Sequence, residues 1–401
     1  MMKKFFYYFL LVAVSVSFYA CSNNDDPEYI VDPVDTVDTS SFFILNRGSY
    51  YSGIDGTLSY YDYASEDYKI VKESINIFKD SNERSLGGSP NDMAIYRDSL
   101  YVLVYESATM EVVDTKTMKS VYTYNFQENP HSELKSQPRH IAISNGIAYI
   151  TTYDGYLVSY SCDERKVTGW TSLVNEGNNP EGVAVVGNEI YVAMSGGLNS
   201  AQGLPYDNKV ARINKNTMEL LESIEVGINP TEIITNGVDA TFVICMGDYA
   251  GTAPMIYQIM GNIATPRCPG TFMALYNRQL YVINAAWDSS DGNTVWNKSN
   301  ITYKCYAIDK WNDSSVQPTD FLPEGKGVDY PSAFAIDPVT GNFVIGSSHV
   351  NGSTVSFNEN GYFKMYSGTG EELLTGETGI DPYIVTFVPQ VKLNNSFIQK
   401  I

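Results

Sequence analysis

One short pattern recurs along this sequence and limits the possible folds more than any other feature. It consists of a proline, two variable residues, an apolar residue, an alanine and a second apolar residue. The first four copies are 48, 42 and 50 residues apart, close to the length of one four-stranded propeller blade. Three clear copies are followed by four weaker ones, and the seven begin at Pro90, Pro138, Pro180, Pro230, Gly270, Pro331 and Pro382.

The segments between the copies have the pattern of β-hairpins. Each of the first six copies is followed by a short turn, such as Asn-Gly at 145–146, and by a second apolar strand-like run. The last copy lacks these partners, whereas segments 42–45, 57–62 and 68–72 lack a first strand. A solenoid would need capping repeats and would not leave such complementary ends. We therefore predict an all-β fold, a seven-bladed β-propeller of four-stranded antiparallel blades, closed by N- and C-terminal strands in one blade.

The first 20 residues have the properties of a secretory signal. Two lysines precede an apolar run at 5–18, which is too short to span a bilayer comfortably, and Cys21 follows a small residue. This junction resembles a bacterial lipobox, so we expect Cys21 to be lipidated; an ordinary cleaved signal is the alternative. The predicted division is a lipoprotein signal peptide at 1–20, a flexible acidic tether at 21–40 and the propeller at 41–401.

The charge of the chain restricts its partners. Lys and Arg number 26 against 46 Asp and Glu, which gives a formal net charge of −20. A chain this acidic is unsuited to nucleic acid or anionic lipid as its main partner. Four further cysteines have no metal-site spacing and leave open a disulfide or free buried thiols; they are Cys162, Cys245, Cys268 and Cys305.

Insertions are predicted to fall on one face of the propeller. Loops between second and third strands share a face with the connectors into each first strand, and loops on one face of a rigid scaffold mark a binding side. The long loops are 46–56, 194–208, 246–254, 284–301 and 346–361, and the connectors expected to enlarge this face are 79–89, 127–137 and 310–330. Aromatic rings on a Gly-, Ser- and Asn-rich background suit a large ring-bearing or sugar-like ligand, although any single ring could instead pin its loop. The candidate ligand-binding aromatics are Tyr50, Tyr51, Tyr153, Tyr206, Tyr249, Trp287 and Trp296.

The two variable residues of each repeat begin an innermost strand. Their side chains are therefore expected to crowd the mouth of the axial channel, with Arg139 and His140 as candidate ligand-binding residues and Glu181 and Glu232 beside them. The alternative is that charged pairs such as Arg139 and Glu181 fill the channel structurally.

No catalytic signature is found in the sequence. The three histidines, His131, His140 and His349, lack the spacing of a catalytic metal site, and no nucleophile or phosphate-binding motif occurs. Segment 288–293 is rich in oxygen ligands but lacks the spacing of an EF-hand, and a polar turn explains it better. We therefore predict a binding protein without catalytic residues, resident metal or cofactor.

Five segments carry a resemblance to a known family. They are Phe43-Ile44-Leu45-Asn46-Arg47-Gly48, Leu58-Ser59-Tyr60-Tyr61-Asp62, Pro90-Asn91-Asp92-Met93-Ala94-Ile95-Tyr96, Pro180-Glu181-Gly182-Val183-Ala184-Val185 and Ser195-Gly196-Gly197-Leu198-Asn199. Together they resemble the YncE-like seven-bladed propeller lipoproteins of gut Bacteroidetes, over about residues 41–390. The acidic run after Cys21 is similar to the surface-export signal of such lipoproteins. Arg47 departs from the family pattern, since an acidic residue is expected inside the Asn-x-Gly motif.

The resemblance implies a function. Such propellers include BtuG-like surface lipoproteins that capture vitamin B12 (cobalamin) and pass it to a TonB-dependent outer-membrane transporter. By this likeness we expect a lipid-anchored protein on the extracellular face of the outer membrane, with a corrinoid as transported ligand and the transporter as partner. The alternatives are a surface glycan-binding propeller and, less favoured, a propeller lyase or lactonase using Glu181, Glu232 and His140.

Overall fold

The protein is a ring of β-sheets. The computed structural model describes residues 36–177, 179–197, 206–285, 296–352 and 354–392. These residues form seven four-stranded antiparallel sheets and one small two-stranded hairpin. The first strands of the seven sheets contact one another in chain order, and the last contacts the first. The predicted seven-bladed β-propeller is confirmed.

Blade 1 is built from both ends of the described chain. From the axis outward it contains β30 (Pro382–Lys392), β1 (Thr36–Asn46), β2 (Thr57–Tyr63) and β3 (Ile70–Ser74). β1 and β30 pair antiparallel, with Phe42 opposite Phe387, so each strand provides the backbone partner that the other needs. β1 begins within the 21–40 segment that the sequence analysis assigned to the tether.

The other six blades follow one another along the chain. Blade 2 contains β4 (Pro90–Tyr96), β5 (Ser99–Val104), β6 (Thr109–Asp114) and β7 (Ser120–Asn125), and blade 3 contains β8 (Pro138–Ser144), β9 (Ile147–Thr152), β10 (Tyr156–Ser161) and β11 (Lys166–Ser172). Blade 4 contains β12 (Pro180–Val186), β13 (Glu189–Gly196), β14 (Tyr206–Asn214) and β15 (Leu220–Glu225), and blade 5 contains β16 (Pro230–Thr235), β17 (Thr241–Cys245), β18 (Met255–Met260) and β19 (Ile263–Cys268). Blade 6 contains β20 (Phe272–Tyr276), β21 (Gln279–Asn284), β22 (Thr302–Ala307) and β23 (Thr319–Asp320). Blade 7 contains β24 (Pro331–Ile336), β25 (Phe343–Ser347), β28 (Asn360–Tyr366) and β29 (Glu372–Ile380), with the hairpin β26 (His349–Asn351) and β27 (Thr354–Ser356) before its third strand.

Helices are few and short. The described residues contain one α-helix, α1 (Ile77–Asn82), and four 3-10 helices at Phe126–Glu128, Ser132–Leu134, Lys298–Asn300 and Ile308–Lys310. Within the same residues, no helix has the length and apolar character needed to cross a membrane.

The core lies between the blades because the central strands are apolar on both faces. Along β1, Phe42 and Ile44 pack toward blade 7, whereas Phe43 and Leu45 pack toward blade 2, as the two-residue period of a strand requires. All four side chains are fully buried. In the part of the chain that the structure describes, seven apolar clusters occur, one at each interface between neighbouring blades. Each large side chain buried in this way stabilises the fold by about 2 kcal/mol.

The face at which the first strands begin is called the loop face here. Loops between second and third strands return to this face, and 47–56, 246–254 and 348–359 are the long insertions predicted there. The predicted loops at 194–208 and 284–301 fall partly outside the described residues. Loop 153–155 is short, also as predicted.

The connector into blade 2 does not enlarge the loop face as predicted. Its helix α1 packs between blades 1 and 2 because Ile77 and Phe78 are apolar and become buried. Asn82 Nδ2 donates to the Met118 carbonyl at 3.1 Å, and the Asn82 carboxamide oxygen accepts from the backbone N–H of Ser120 at 2.8 Å. These bonds hold the helix beside the β6–β7 turn.

The prediction for segment 310–330 was wrong in its first half. Residues 308–318 join the third and fourth strands of blade 6 and therefore lie on the opposite face, leaving only 321–330 as the connector. Trp311 holds this loop by stacking on Tyr306, with ring centres 4.9 Å apart. The cause of the error is the two-residue strand β23, which is too short to show a strand pattern in sequence.

Candidate functional site

A bulge turns the first residues of the innermost strands toward the axis. In blade 2 the pairing of β4 with β5 skips from Pro90 to Asp92, and the same irregularity follows the repeat proline in blades 1, 3, 4, 5 and 7. A β-bulge bends its strand and re-aims the side chains beside it. Blade 6 has Gly270 in place of the proline, and its first two strands pair without an irregularity. The repeat proline therefore marks the point at which the variable pair is directed into the channel mouth.

His140 lies at the centre of a hydrogen-bonded cluster in this mouth. Its Nδ1 is 3.1 Å from Asp92 Oδ2, and its Nε2 is 3.1 Å from Glu181 Oε2. Arg139 Nη2 donates to Glu181 Oε1 at 2.5 Å. Asp92 Oδ2 also accepts from the backbone N–H of Ile141 at 3.0 Å. Three innermost strands, β4, β8 and β12, thus converge on one imidazole ring.

The cluster keeps His140 cationic. Burial by itself would lower the pKa of His140, but hydrogen bonds to the carboxylates of Asp92 and Glu181 raise that pKa to about 9. Burial also disfavours the Glu181 carboxylate, yet the charges of Arg139 and His140 lower its pKa below the ordinary value. The pairing of Arg139 with Glu181 is present, as the channel-filling alternative expects.

Glu232 enters the same mouth from β16. Its carboxyl group makes no hydrogen bond or ion pair with any residue that the structure describes. Burial raises the pKa of Glu232 to about 7. The positive charge of His140 lowers this pKa and the negative charge of Asp92 raises it, but burial has the largest effect. Glu232 therefore changes its charge near neutral pH.

Arg47, Tyr383 and Asp381 complete the mouth, and sequence reasoning selected none of them. Arg47 Nε donates to Asp381 Oδ2 at 2.7 Å, and the guanidinium carbon lies 4.1 Å from the centre of the Tyr383 ring. Tyr383 follows the seventh repeat proline, so its place in the repeat was a usable signal. Arg47 could have been noticed because it occupies the position at which the related family has an acidic residue, inside the Asn-x-Gly motif.

In the part of the chain that the structure describes, the exposed aromatic rings lie on the loop face. Among the described residues, every large aromatic side chain classed as exposed lies in a loop between a second and a third strand. Tyr51 is 97% exposed and Tyr249 is 67% exposed. Large aromatic rings left in water on one face indicate a binding surface. The five exposed rings are Tyr50, Tyr51, Tyr153, Tyr249 and Phe357.

Three edge-to-face tyrosine pairs stand on this face. The ring centre of Tyr105, a residue that sequence reasoning also missed, lies 5.3 Å from the Arg139 guanidinium carbon, so this tyrosine joins one pair to the mouth. Tyr206 was predicted in a loop but begins β14, opposite Gly196. Each ring restrains its neighbour, which lowers the entropy lost on binding. The ring centres are 5.4 Å apart in Tyr50–Tyr51, 6.0 Å apart in Tyr105–Tyr153 and 5.9 Å apart in Tyr206–Tyr249.

The loop that carries Tyr249 is internally braced. Asp248 Oδ1 accepts from the backbone N–H groups of residues 250, 251 and 252 at 3.0, 2.9 and 2.8 Å. Tyr249 has a left-handed backbone with φ of 56°, which costs about 1 to 2 kcal/mol for a residue other than glycine. Strain of this kind persists where surrounding bonds enforce it, and it clusters at ligand sites. The backbone that carries the exposed Tyr249 ring is therefore held in place.

Trp296 has a different role from the exposed tyrosines. It is 5% exposed, its Nε1 donates to the Asp329 carbonyl at 2.8 Å, and its ring centre lies 4.4 Å from that of Tyr330. It pins its loop, the alternative that the sequence left open. Trp287 lies outside the described residues. A cavity of about 310 Å³ beside the pinned loop is lined by Trp296, Asn297, Lys298, Asp329, Val350 and Gly352.

The remaining histidines and the cysteines have structural surroundings. His131 packs on Trp170 with ring centres 4.3 Å apart, and His349 Nε2 is 3.0 Å from Glu359 Oε2. No three His, Cys, Asp or Glu side chains in the described ranges are arranged to hold a metal ion, and segment 288–293 lies outside those ranges. The four cysteines of the propeller are free and buried, which decides between the two options that the sequence left open.

Comparisons with known proteins agree with the fold. No curated protein matches the chain. A quinonprotein alcohol dehydrogenase-like protein from Bacteroides thetaiotaomicron is 13% identical, with 89% of this chain and 78% of that chain covered and a TM-score of 0.54. A hypothetical selenium-binding protein from Sulfolobus tokodaii is 10% identical, with 90% and 94% covered and a TM-score of 0.57. Kuenenia stuttgartiensis hydrazine synthase is 14% identical, with 76% and 96% covered and a TM-score of 0.53.

At these identities the likeness to solved structures shows the shared propeller fold alone. A family model described as a domain of unknown function, DUF5074, matches residues 40–378. Because that match spans most of the sequence and nearly the whole propeller, the chain belongs to the DUF5074 family.

Proposed function

We propose that this protein is a cell-surface lipoprotein that binds vitamin B12 or a related corrinoid and delivers it to a TonB-dependent outer-membrane transporter. One observation carries the binding part of the proposal: the exposed aromatic rings of the described residues all lie on the loop face, around a mouth lined by charged residues and tyrosines. The resemblance of the sequence to YncE-like lipoproteins supplies the ligand class.

The chemistry of the loop face supports a large amphipathic ligand. A corrinoid is broad and flat, with an apolar ring and a rim of amides. Tyrosine pairs offer flat apolar surface together with hydroxyl groups, and the closed ring of blades holds them in fixed positions. Rings that are ordered before binding lose little freedom when a ligand covers them, which favours high affinity. The proposal includes no catalytic step.

The location of the protein is a separate part of the proposal. Lipidation of Cys21 would anchor the chain, and the segment up to the propeller would serve as a tether to the outer surface. Labelling of cells with a fatty-acid analogue should mark the protein, and Cys21→Ala should abolish the label. Protease added to intact cells should digest the anchored protein; full protection would contradict a surface location.

Calorimetry tests the ligand directly. The mature chain, produced without its lipid, should bind cyanocobalamin, and Tyr50→Ala and Tyr249→Ala should each weaken binding about tenfold. Leu221→Ala is the matched control because Leu221 is 48% exposed on the outer strand β15, away from the loop face. Absence of corrinoid binding would contradict the proposal, and binding of a polysaccharide instead would favour the glycan-binding alternative.

One observation favours an enzyme as the second candidate. The pKa of Glu232, raised to about 7 beside His140 and Asp92, is typical of a general acid. Wild type and Glu232→Gln should be compared for lactone hydrolysis and for cleavage of acidic polysaccharides. Turnover that the substitution abolishes would support the enzyme and displace the binding proposal.

A further inference from the structure

Two arginines from distant parts of the chain face one tyrosine across the channel mouth. Arg47 follows β1, and Arg139 lies at the start of β8. The Arg47 guanidinium carbon is 4.1 Å from the Tyr383 ring centre. Tyr383 also interacts electrostatically with Arg139, so both cations lie near the same ring. These three residues are called the Arg-Tyr cluster below.

Several hydrogen-bond donors of the Arg-Tyr cluster are unused. Arg47 donates through Nε to Asp381, but its two Nη groups make no hydrogen bond with any described residue. Arg139 donates through Nη2 to Glu181, whereas its Nε is buried and has no partner in the described chain. The Tyr383 hydroxyl likewise makes no hydrogen bond within the described ranges. A buried donor without a partner, such as Arg139 Nε, is unfavourable, and the Arg47 Nη groups and the Tyr383 hydroxyl are available beside it for an acceptor supplied by a ligand.

The cluster is accessible and locally balanced in charge. The Arg47 side chain is 40% exposed, which leaves its Nη groups open to the mouth. Each cation of the mouth has a carboxylate partner, so the negative net charge of the whole chain is not concentrated at this point. The pairs are Arg47 with Asp381, Arg139 with Glu181, and His140 with Asp92 and Glu181.

Unused guanidinium donors and a phenol hydroxyl form the donor set that binds an oxyanion. Guanidinium groups match the geometry of carboxylate and phosphate oxygens, and charge-assisted bonds of this kind are about twice as strong as neutral ones. We propose that the Arg-Tyr cluster is a subsite for an oxyanion carried by the ligand. This inference rests on the proposed function, and on a cobalamin the oxyanion is the phosphodiester of its nucleotide loop.

Two related ligands distinguish binding at this subsite from binding elsewhere in the mouth. Cyanocobalamin carries the phosphodiester, whereas cobinamide lacks the nucleotide loop and the phosphodiester with it. Arg47→Gln and Tyr383→Phe are titrated with both ligands by calorimetry; Tyr383→Phe keeps the ring and removes only the hydroxyl. Arg97→Gln is the control, since Arg97 pairs with Asp163 in an exposed ion pair on the opposite face. Circular dichroism and thermal melting verify that each variant is folded.

We expect Arg47→Gln to weaken cyanocobalamin binding about tenfold or more and Tyr383→Phe about fivefold, with cobinamide binding unchanged. Equal losses for the two ligands, or no loss for cyanocobalamin, would overturn the subsite.

A second measurement distinguishes failure of the subsite from failure of the proposed function. If the wild type binds neither corrinoid, the proposed function is wrong and the subsite is judged with inorganic phosphate. Phosphate should then raise the melting temperature of the wild type above that in chloride at equal ionic strength, and Arg47→Gln should lose the increase. An equal increase in both proteins would overturn the subsite.

Discussion

Replacing Glu232 by glutamine should stabilise the protein at neutral and alkaline pH. Glu232 lies in the channel mouth without a hydrogen bond from any described residue, and burial raises its pKa from 4.5 to about 7. Between these two values the native state holds a proton that the unfolded chain has released. The stability of the wild type therefore falls as the pH rises from 4.5 to about 7. Above pH 7 Glu232 is ionised in both states and causes no further change in stability.

The size of the effect follows from the shift. Each pKa unit corresponds to about 1.4 kcal/mol, so a rise from 4.5 to about 7 corresponds to about 3 kcal/mol. Glutamine fills the same volume and cannot ionise. Glu232→Gln should thus gain up to about 3 kcal/mol over the wild type at pH 8 and about 1 kcal/mol or less at pH 5.

Denaturant unfolding at several pH values between 5 and 8 measures this difference. Glu66→Gln is the matched control, because Glu66 is exposed in the β2–β3 turn and its replacement should change stability by less than about 0.5 kcal/mol at each pH. Parallel stability profiles of the wild type and Glu232→Gln would refute the reasoning, since they would show that Glu232 ionises equally in the native and unfolded states.

Three further predictions concern the mouth, the packing of the inner strands and the thiols. His140→Gln leaves the Asp92 carboxylate without its cation and Glu181 with Arg139 as its remaining cation, and it should cost about 3 kcal/mol at pH 6 in denaturant unfolding. The raised pKa of His140, about 9, also predicts that wild-type stability falls between pH 6.5 and 9 and that this slope is missing from the variant. Gly182→Ala should destabilise the protein by about 1 to 3 kcal/mol, because a Cβ at this position would lie 2.8 Å from a carbonyl oxygen of β16. Gly251→Ala is the control, since a Cβ there meets no atom within 4 Å. Equal stability of the two variants would contradict the close packing of β12 on β16. Thiol reagents should label the four propeller cysteines only after the protein is unfolded, since all four are buried and burial raises the pKa of Cys245 to about 12. Rapid labelling of the native protein would contradict this prediction.

Much of the fold could be predicted because its repeating unit is local. A proline, an apolar-Ala-apolar strand and a short turn recur in one stretch of chain, and hairpin pairing needs no distant information. The two complementary ends predicted the closure of blade 1 by β1 and β30. The strand β23 could not be predicted, since two residues are too few to show the alternating pattern of a strand. Only their pairing with β22 identifies them as one.

The candidate site could be predicted in part. Arg139 and His140 follow a repeat proline, and the bulge after that proline explains why their side chains reach the mouth. The contact of Arg47 with Tyr383 could not be foreseen, because the predicted closure pairs the two terminal strands without giving the register that sets Asn46 opposite Pro382. Trp296 shows the reverse, since an aromatic residue predicted for a binding loop of blade 6 is buried against the connector that leads into blade 7.

Sequence alone determined the number of blades and the face that carries the long loops, because both follow from the order and spacing of strands along one chain. Only the tertiary structure decided which aromatic rings stay exposed and which carboxyl groups change their charge near neutral pH. Exposure and ionisation depend on the atoms that surround a side chain, and here those atoms come from blades far apart in the sequence.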